Sequence, residues 1–245
     1  NSPPWRPTLF DEEGLLEVQR KFFGTLLNTY SFFALYANID KFENDKTSVP
    51  LSKREEIDRW ILSKLNSLVE NNIKLMDDYE VTKAARAISD FTIDHLSNWY
   101  VRRCRRRFWK SEMNENKLAA YQTLYECLVT ISKLIAPFAP FLAEELFQNL
   151  NSVTKSEKIE SVHLTDLPEK GETDKELEQK MDVAQHVVYL VRAIRAKSNL
   201  KVRQPLKKLT VVVEKNMKSA LSKMKDVILE EVNIKELEIL DDDST

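Results

Sequence analysis

With 245 residues, 42% of them apolar and 31% charged, the chain is long enough to bury a full core, and about 150 residues per domain gives one large domain or one and a half. A formal net charge of −2 excludes a global basic field, so any affinity for an anion has to come from local segregation of charge. Cys104 and Cys127, the two cysteines, imply no disulfide framework and suit a reducing cytosol, and no apolar run reaches membrane-spanning length. A cytoplasmic protein without membrane contact is expected.

Gly14, Gly24 and Gly171 are the only glycines, which argues against a nucleotide-cradling loop, since such loops need glycine at their tight turns. His95, His163 and His186 lie far apart, and no pair has metal-ligand spacing. Neither a catalytic constellation nor a metal site is expected. The acidic stretch at residues 77–80 reads as the cap of a following helix.

Residues 1–10 contain Pro3, Pro4 and Pro7 and read as an arm. Asp11, Glu12 and Glu13 then open a helix with Leu15, Val18, Phe22, Leu26, Tyr30, Phe33 and Ala37 on one stripe. After the polar break at residues 44–50, Ile57, Ile61, Leu65 and Leu68 mark a second helix to about Met76. A third starts near Val81, with Ala84, Ile88, Phe91, His95 and Trp99 on one face. Leu118, Tyr121, Tyr125, Leu128, Ile131 and Ile135 form the fourth. The stretch at residues 136–141 stops it, with Pro140 opening a short fifth through Leu146 and Leu150, and its bulky apolar residues are expected to seal the bundle end.

Residues 11–150 thus predict an antiparallel helical bundle, and residues 151–174 turn polar and read as a linker. Residues 175–245 predict a small partial α/β domain: a helix through Leu177, Met181, Ala184, Val188 and Val191, a strand at 209–214, a helix at 217–232 and a strand at 234–240. The fold class is mainly α.

The third helix closes in Arg102, Arg103, Arg105, Arg106 and Arg107, five arginines in six positions, flanked by Trp99, Tyr100, Phe108 and Trp109. At 100° per residue Arg102 and Arg106 fall on the line of Trp99, while Val101, Cys104 and Phe108 move to the other side, so the burial face is expected to switch within the helix. An unpaired buried guanidinium is too costly to sit on that stripe, so the arginines must meet solvent or something anionic. A solvated helix end is one reading; the other is a surface where guanidinium forks bind phosphate and the aromatic rings stack on bases. A second basic locus runs from Arg192 through Arg195, Lys197, Lys201, Arg203, Lys207 and Lys208, seven cations and no acid in 17 positions.

Several segments resemble isoleucyl-tRNA synthetases: Asn28-Thr29-Tyr30-Ser31-Phe32-Phe33 through Asp40, Asp58-Arg59-Trp60-Ile61, Ser97-Asn98-Trp99-Tyr100-Val101-Arg102-Arg103, Ala136-Pro137-Phe138 and Val202-Arg203-Gln204-Pro205-Leu206. The match runs over nearly the whole chain. The Asp-Arg-Trp-Ile and Ala-Pro-Phe patterns recur among class I relatives, valyl-tRNA synthetases included, whereas Asn-Trp-Tyr-Val-Arg-Arg and Val-Arg-Gln-Pro-Leu point to isoleucine.

The resemblance implies that residues 1–10 are an arm from a preceding catalytic domain and that the bundle is of the anticodon-binding type. It implies isoleucine tRNA as partner, through Trp99, Arg102, Arg103, Arg105, Arg106, Arg107, Lys201, Arg203, Lys207 and Lys208, in a monomer, with two alternatives open: that some of the arginines pair with protein carboxylates and brace a domain interface, and that Trp99 belongs to the core. ATP with Mg²⁺ would serve the parent enzyme, but the His-Ile-Gly-His-type and Lys-Met-Ser-Lys-Ser-type motifs that handle ATP do not occur in these 245 residues. This segment alone is expected to be non-catalytic and to hold no cofactor. The competing reading from another class is a helical module whose arginines pair with carboxylates of a protein partner.

Overall fold

A computed structural model describes residues 10–44, 48–109, 112–154 and 158–241. The expected arm lies outside these apart from Phe10. Backbone packing divides the chain into two units, Asn1–Thr173 and Asp174–Thr245.

In the first unit, α1 (Glu12–Val18) passes through a π-helical turn (Gln19–Phe23) into α2 (Gly24–Asp40) without leaving right-handed helical backbone. There follow α3 (Glu56–Asp77), α4 (Val81–Asp90), a π-helical segment (Phe91–Val101), α5 (Arg102–Trp109), α6 (Glu115–Ile135) and α7 (Pro140–Thr154). The mainly helical expectation holds. Asn114 opens α6 by accepting the Lys117 N–H at 2.8 Å, which is the physical content of the break in pattern there. Helix α6 packs on α2, α3, α4, α5 and α7, and Ala119, Tyr121, Leu124, Tyr125, Cys127 and Leu128 are buried over more than half of its circumference. A helix buried on so many sides lies at the centre of a bundle.

Three expectations fail here. The stripe of the first helix is buried only beyond the π turn: Leu26 and Phe33 face the core, while Leu15 and Val18 are exposed. Phe141 does not seal the bundle; it is 90% exposed and, with Leu16, Phe23, Leu27 and Phe138, borders an open apolar groove, while Ala143, Leu146, Phe147 and Leu150 do the packing. Pro140 starts α7, and the helical phase it sets turns the next side chain outward.

Nor are residues 151–174 a free connection. Helix α7 continues to Thr154, and the short stretch read as extended is a 3₁₀ turn, Val162–Leu164. Glu144 accepts the Ser161 hydroxyl and the Val162 N–H, both at 2.9 Å, which seats buried Val162. Further on, Asn66 Nδ2 donates to Glu172 O at 2.8 Å, and a Cβ at Gly171 would lie 2.6 Å from that same nitrogen. A larger residue there would push the Asn66 amide off Glu172 O. Among its described residues, the polar stretch read as a linker is tied down by these hydrogen bonds.

The second unit holds α8 (Lys175–Lys197), β1 (Leu206–Val213), α9 (Lys215–Lys223), α10 (Lys225–Val232) and β2 (Ile234–Asp241). The strands pair in parallel with Leu206 opposite Ile234 and Val211 opposite Ile239, and α9 and α10 supply the long crossover that a parallel pair requires. The expected helix at 217–232 is two helices parted at Met224 (φ −97°, ψ 10°). Leu177, Met181, Ala184 and Val188 of α8 form the core with Leu221, Met224, Ile228 and Val232. Strand β1 begins three residues earlier than its β-branched run, because Leu206 N donates to Asn233 O at 3.1 Å and starts the ladder before the cations Lys207 and Lys208.

Candidate nucleic-acid interface

The arginine run is presented by an unusual helix. Ala84, Ile88, Thr92, Leu96, Tyr100, Cys104 and Phe108 are all buried, a strict repeat of four. On an ordinary α-helix such a stripe would rotate by about 40° per repeat and leave the core. The i→i+5 winding of Phe91–Val101 has more residues per turn and brings the stripe back. The expected switch of burial face therefore does not occur, and Arg102 and Arg106 are not on the buried line. A constant 100° per residue was the wrong ruler for this segment.

This phase sorts the five arginines. Arg105 and Arg106 are exposed, with no hydrogen-bond or ion-pair partner among the described residues, and 58%-exposed Trp109 follows them. Arg102 and Arg103 are half-buried against Trp99, their guanidinium carbons 5.9 and 5.8 Å from its ring centroid, and Arg102 Nε donates to Asn98 O at 2.8 Å.

Trp99 itself is 5% exposed and belongs to the core, so it is no platform for a base; Tyr100 and Phe108 are buried as well. Of the four aromatics offered for stacking, only Trp109 is left with an open face.

Arg107 has a different fate, and its assignment to phosphate is corrected. Its side chain is 11% exposed, and its fork donates to Asp58, Nη1 to Oδ1 and Nη2 to Oδ2, both at 2.8 Å. Nη2 also donates to Asn116 O at 2.7 Å, and Glu55 lies 3.6 Å away. Asp58 is fully buried near the start of α3 and accepts the Tyr100 hydroxyl at 2.7 Å. Burial works to lower the pKa of Arg107, but the Asp58 hydrogen bonds and charge outweigh it and hold the guanidinium more firmly protonated than usual. The same burial pushes the Cys104 thiol up to about 12 and Tyr100 well above the ordinary phenol range. A bidentate pair of this kind ties α3, α5 and the start of α6 together. Nothing in the spacing of the arginines marked the fifth as internal; the signal was Asp58 in its Asp-Arg-Trp-Ile setting.

In the second unit Lys201, Arg203 and Lys207 are exposed and meet no acidic side chain among the described residues. Lys208 is paired with Glu238 at 2.8 Å, and Arg192 with Glu231 at 2.7 Å. Arg195, counted in the same basic run, is buried. Among the described residues no group of three or more His, Cys, Asp or Glu side chains is placed to hold a metal ion.

Arg105 and Arg106 on one unit, and Lys201, Arg203 and Lys207 on the other, are cations left open to an anionic partner. A family model described as the anticodon-binding domain of tRNA ligase matches residues 58–211, from the buried aspartate to strand β1. The chain belongs to the anticodon-binding domain family of tRNA ligases.

Isoleucine–tRNA ligases are its close relatives: 52% identity with that of Cytophaga hutchinsonii over the whole chain, 52% with that of Bacteroides fragilis over 98% of it, and 47% with that of Dehalococcoides mccartyi over 96%. The resemblance read from the sequence is thus matched along the chain. The chain spans 21–23% of the length of these relatives.

Proposed function

We propose that this chain is the part of an isoleucine–tRNA ligase that holds the anticodon stem and loop of isoleucine tRNA, so that the acceptor end reaches a catalytic domain elsewhere in the polypeptide. The relatives' names support the amino acid, and the open cations of the anticodon-binding unit support the contact. In the whole protein the reaction is ATP-dependent aminoacylation with Mg²⁺, in a cytoplasmic monomer. The role of this region is positional: binding energy realised here orients a reacting group far away.

The observation that carries the reading is the exposure of Arg105 and Arg106 without an internal partner, beside exposed Trp109. Guanidinium groups in that state bind phosphate oxygens, which fixes register without reading sequence. Arg102 and Arg103, leaning on Trp99, supply charge at the edge of the same patch. The test is filter binding of isoleucine tRNA to the full-length ligase across a salt series. Arg105→Ala and Arg106→Ala are each expected to lower the log–log salt slope by roughly 0.7 to 0.9 and to weaken matched and mismatched tRNA alike. An unchanged slope in both variants would remove this surface from the interface.

A further inference from the structure

The basic loop between α8 and β1 is held from inside. Arg195, in the last turn of α8, is 2% exposed, and no carboxylate lies within ion-pair distance of it among the described residues. Its Nη2 donates to the carbonyl oxygens of Gln204 at 2.7 Å and Val232 at 2.9 Å, with those of Val202 and Asn233 at 3.5 Å. Its Nε and Nη1 are buried without hydrogen-bond partners among the described residues. Asn233, at a left-handed φ of 51°, ends α10 and donates from Nδ2 to Val202 O at 3.0 Å and Arg203 O at 3.1 Å. Three successive carbonyls, those of Val202, Arg203 and Gln204, are thereby drawn inward, while the side chains of Lys201 and Arg203 remain exposed.

Stability alone is a poor reason for this arrangement. A guanidinium buried without a carboxylate is strongly disfavoured, and an apolar side chain of similar length would fill the same volume at less cost. What a methionine cannot do is collect carbonyl oxygens. Turned outward, those oxygens would set their negative dipole ends beside Lys201 and Arg203, competing for the cations and repelling a phosphate. Turned inward, they leave the outer side of the loop to the cations.

We infer that Arg195 and Asn233 are positioning residues that hold the 201–205 loop by its carbonyls and so preorganise Lys201 and Arg203, with Lys207 beside them at the start of β1, for the phosphate backbone of tRNA. The inference rests on the reading of this loop as a tRNA contact. A loop ordered in advance loses less conformational entropy on binding than one that must be ordered by the RNA.

The test uses full-length ligase and isoleucine tRNA in filter binding across a salt series, with melting curves to confirm that each variant is folded. Asn233→Gly is the cleanest variant, because glycine accepts the positive φ while both Nδ2 hydrogen bonds are lost. Arg195→Lys keeps the charge but replaces the fork by a point donor. Each is expected to weaken binding by roughly fivefold, the worth of about one net hydrogen bond, with an unchanged salt slope because the same phosphates are neutralised. Lys201→Ala and Arg203→Ala are expected instead to lower the slope by roughly 0.7 to 0.9 per lost contact. Binding within twofold of the unsubstituted enzyme by folded Asn233→Gly would overturn the positioning role, whatever the stability of Arg195→Lys. If instead the Lys201 and Arg203 variants leave the slope unchanged, the tRNA contact of this loop is what fails.

Discussion

Each of the two units contains a run rich in cations, and each buries one arginine from its run, but the buried arginines are handled in opposite ways. In the helical unit Arg107 meets a buried carboxylate, fork to fork, and the pair is part of the frame that joins three helices. In the small unit Arg195 meets only carbonyl oxygens among the described residues, and these belong to the loop and to the end of α10. The first guanidinium is neutralised and fixes helices; the second keeps its charge and fixes a backbone that displays other charges. Density of arginine and lysine in a sequence therefore does not mark a binding surface by itself. What matters is which side of the element each cation faces and whether an acid already waits there.

The largest effect expected from this contrast is on Arg107. Arg107→Met would leave the fully buried Asp58 carboxylate with only the Tyr100 hydroxyl among its side-chain donors, and losing one partner of a buried pair costs about 3–5 kcal/mol. A large fall in the melting temperature of the 245-residue chain is expected, while Arg105→Met, at an exposed position two residues earlier, is expected to change it little. Equal losses for the two substitutions would show that the sorting of the run by helix phase is wrong.

That sorting was the part of the site least legible in sequence. The helices were readable from apolar spacing, and the basic runs from composition, because both are local properties. The phase of the arginine helix was not, because it depends on eleven residues wound as a π-helix, a geometry that apolar spacing alone cannot separate from two offset faces. Nor could spacing show that Asp58, 49 positions before Arg107, would be its partner. Trp99 presented the same difficulty: a tryptophan beside arginines reads equally as core or platform until its burial is known. In the small unit the strand–helix–strand order was plain, but nothing in it singled out Asn233, the residue between the expected helix and strand. Its grip on the loop is a tertiary fact that follows from its left-handed backbone.

A smaller effect is expected at Arg192, the small unit's own arginine–carboxylate pair. Glu231 has a side chain only 4% exposed and accepts Arg192 Nη2 at 2.7 Å, but Arg192 itself is 39% exposed, so water reaches one side of the pair. Arg192→Gln keeps a neutral donor there and is expected to cost about 1–2 kcal/mol by thermal melting, less than Arg107→Met. A loss as large as that of Arg107→Met would mean that both units rely on buried ion pairs to the same degree, and the contrast between them would rest on Arg195 alone.

The smallest effect should be at Lys208, which is where the division between paired and displayed cations is most easily broken. Its ammonium lies 2.8 Å from Glu238, both side chains are more than two-fifths exposed, and Thr210 also donates to that carboxylate at 3.0 Å. The hydrogen bond from Lys208, followed by that from Thr210, holds the Glu238 carboxyl below its usual range, so the pair is formed at neutral pH. Water and salt screen it on both sides, and Lys208→Ala is expected to move the melting temperature by no more than about 1 °C. Its effect on tRNA should also be slight, because a phosphate would have to displace a carboxylate that already has the ammonium. The log–log salt slope of the full-length ligase should therefore fall less for Lys208→Ala than for Lys201→Ala or Arg203→Ala. A fall as large as theirs would show that the pair opens when RNA arrives, and that an ion pair at the surface of this unit holds a phosphate ligand in reserve.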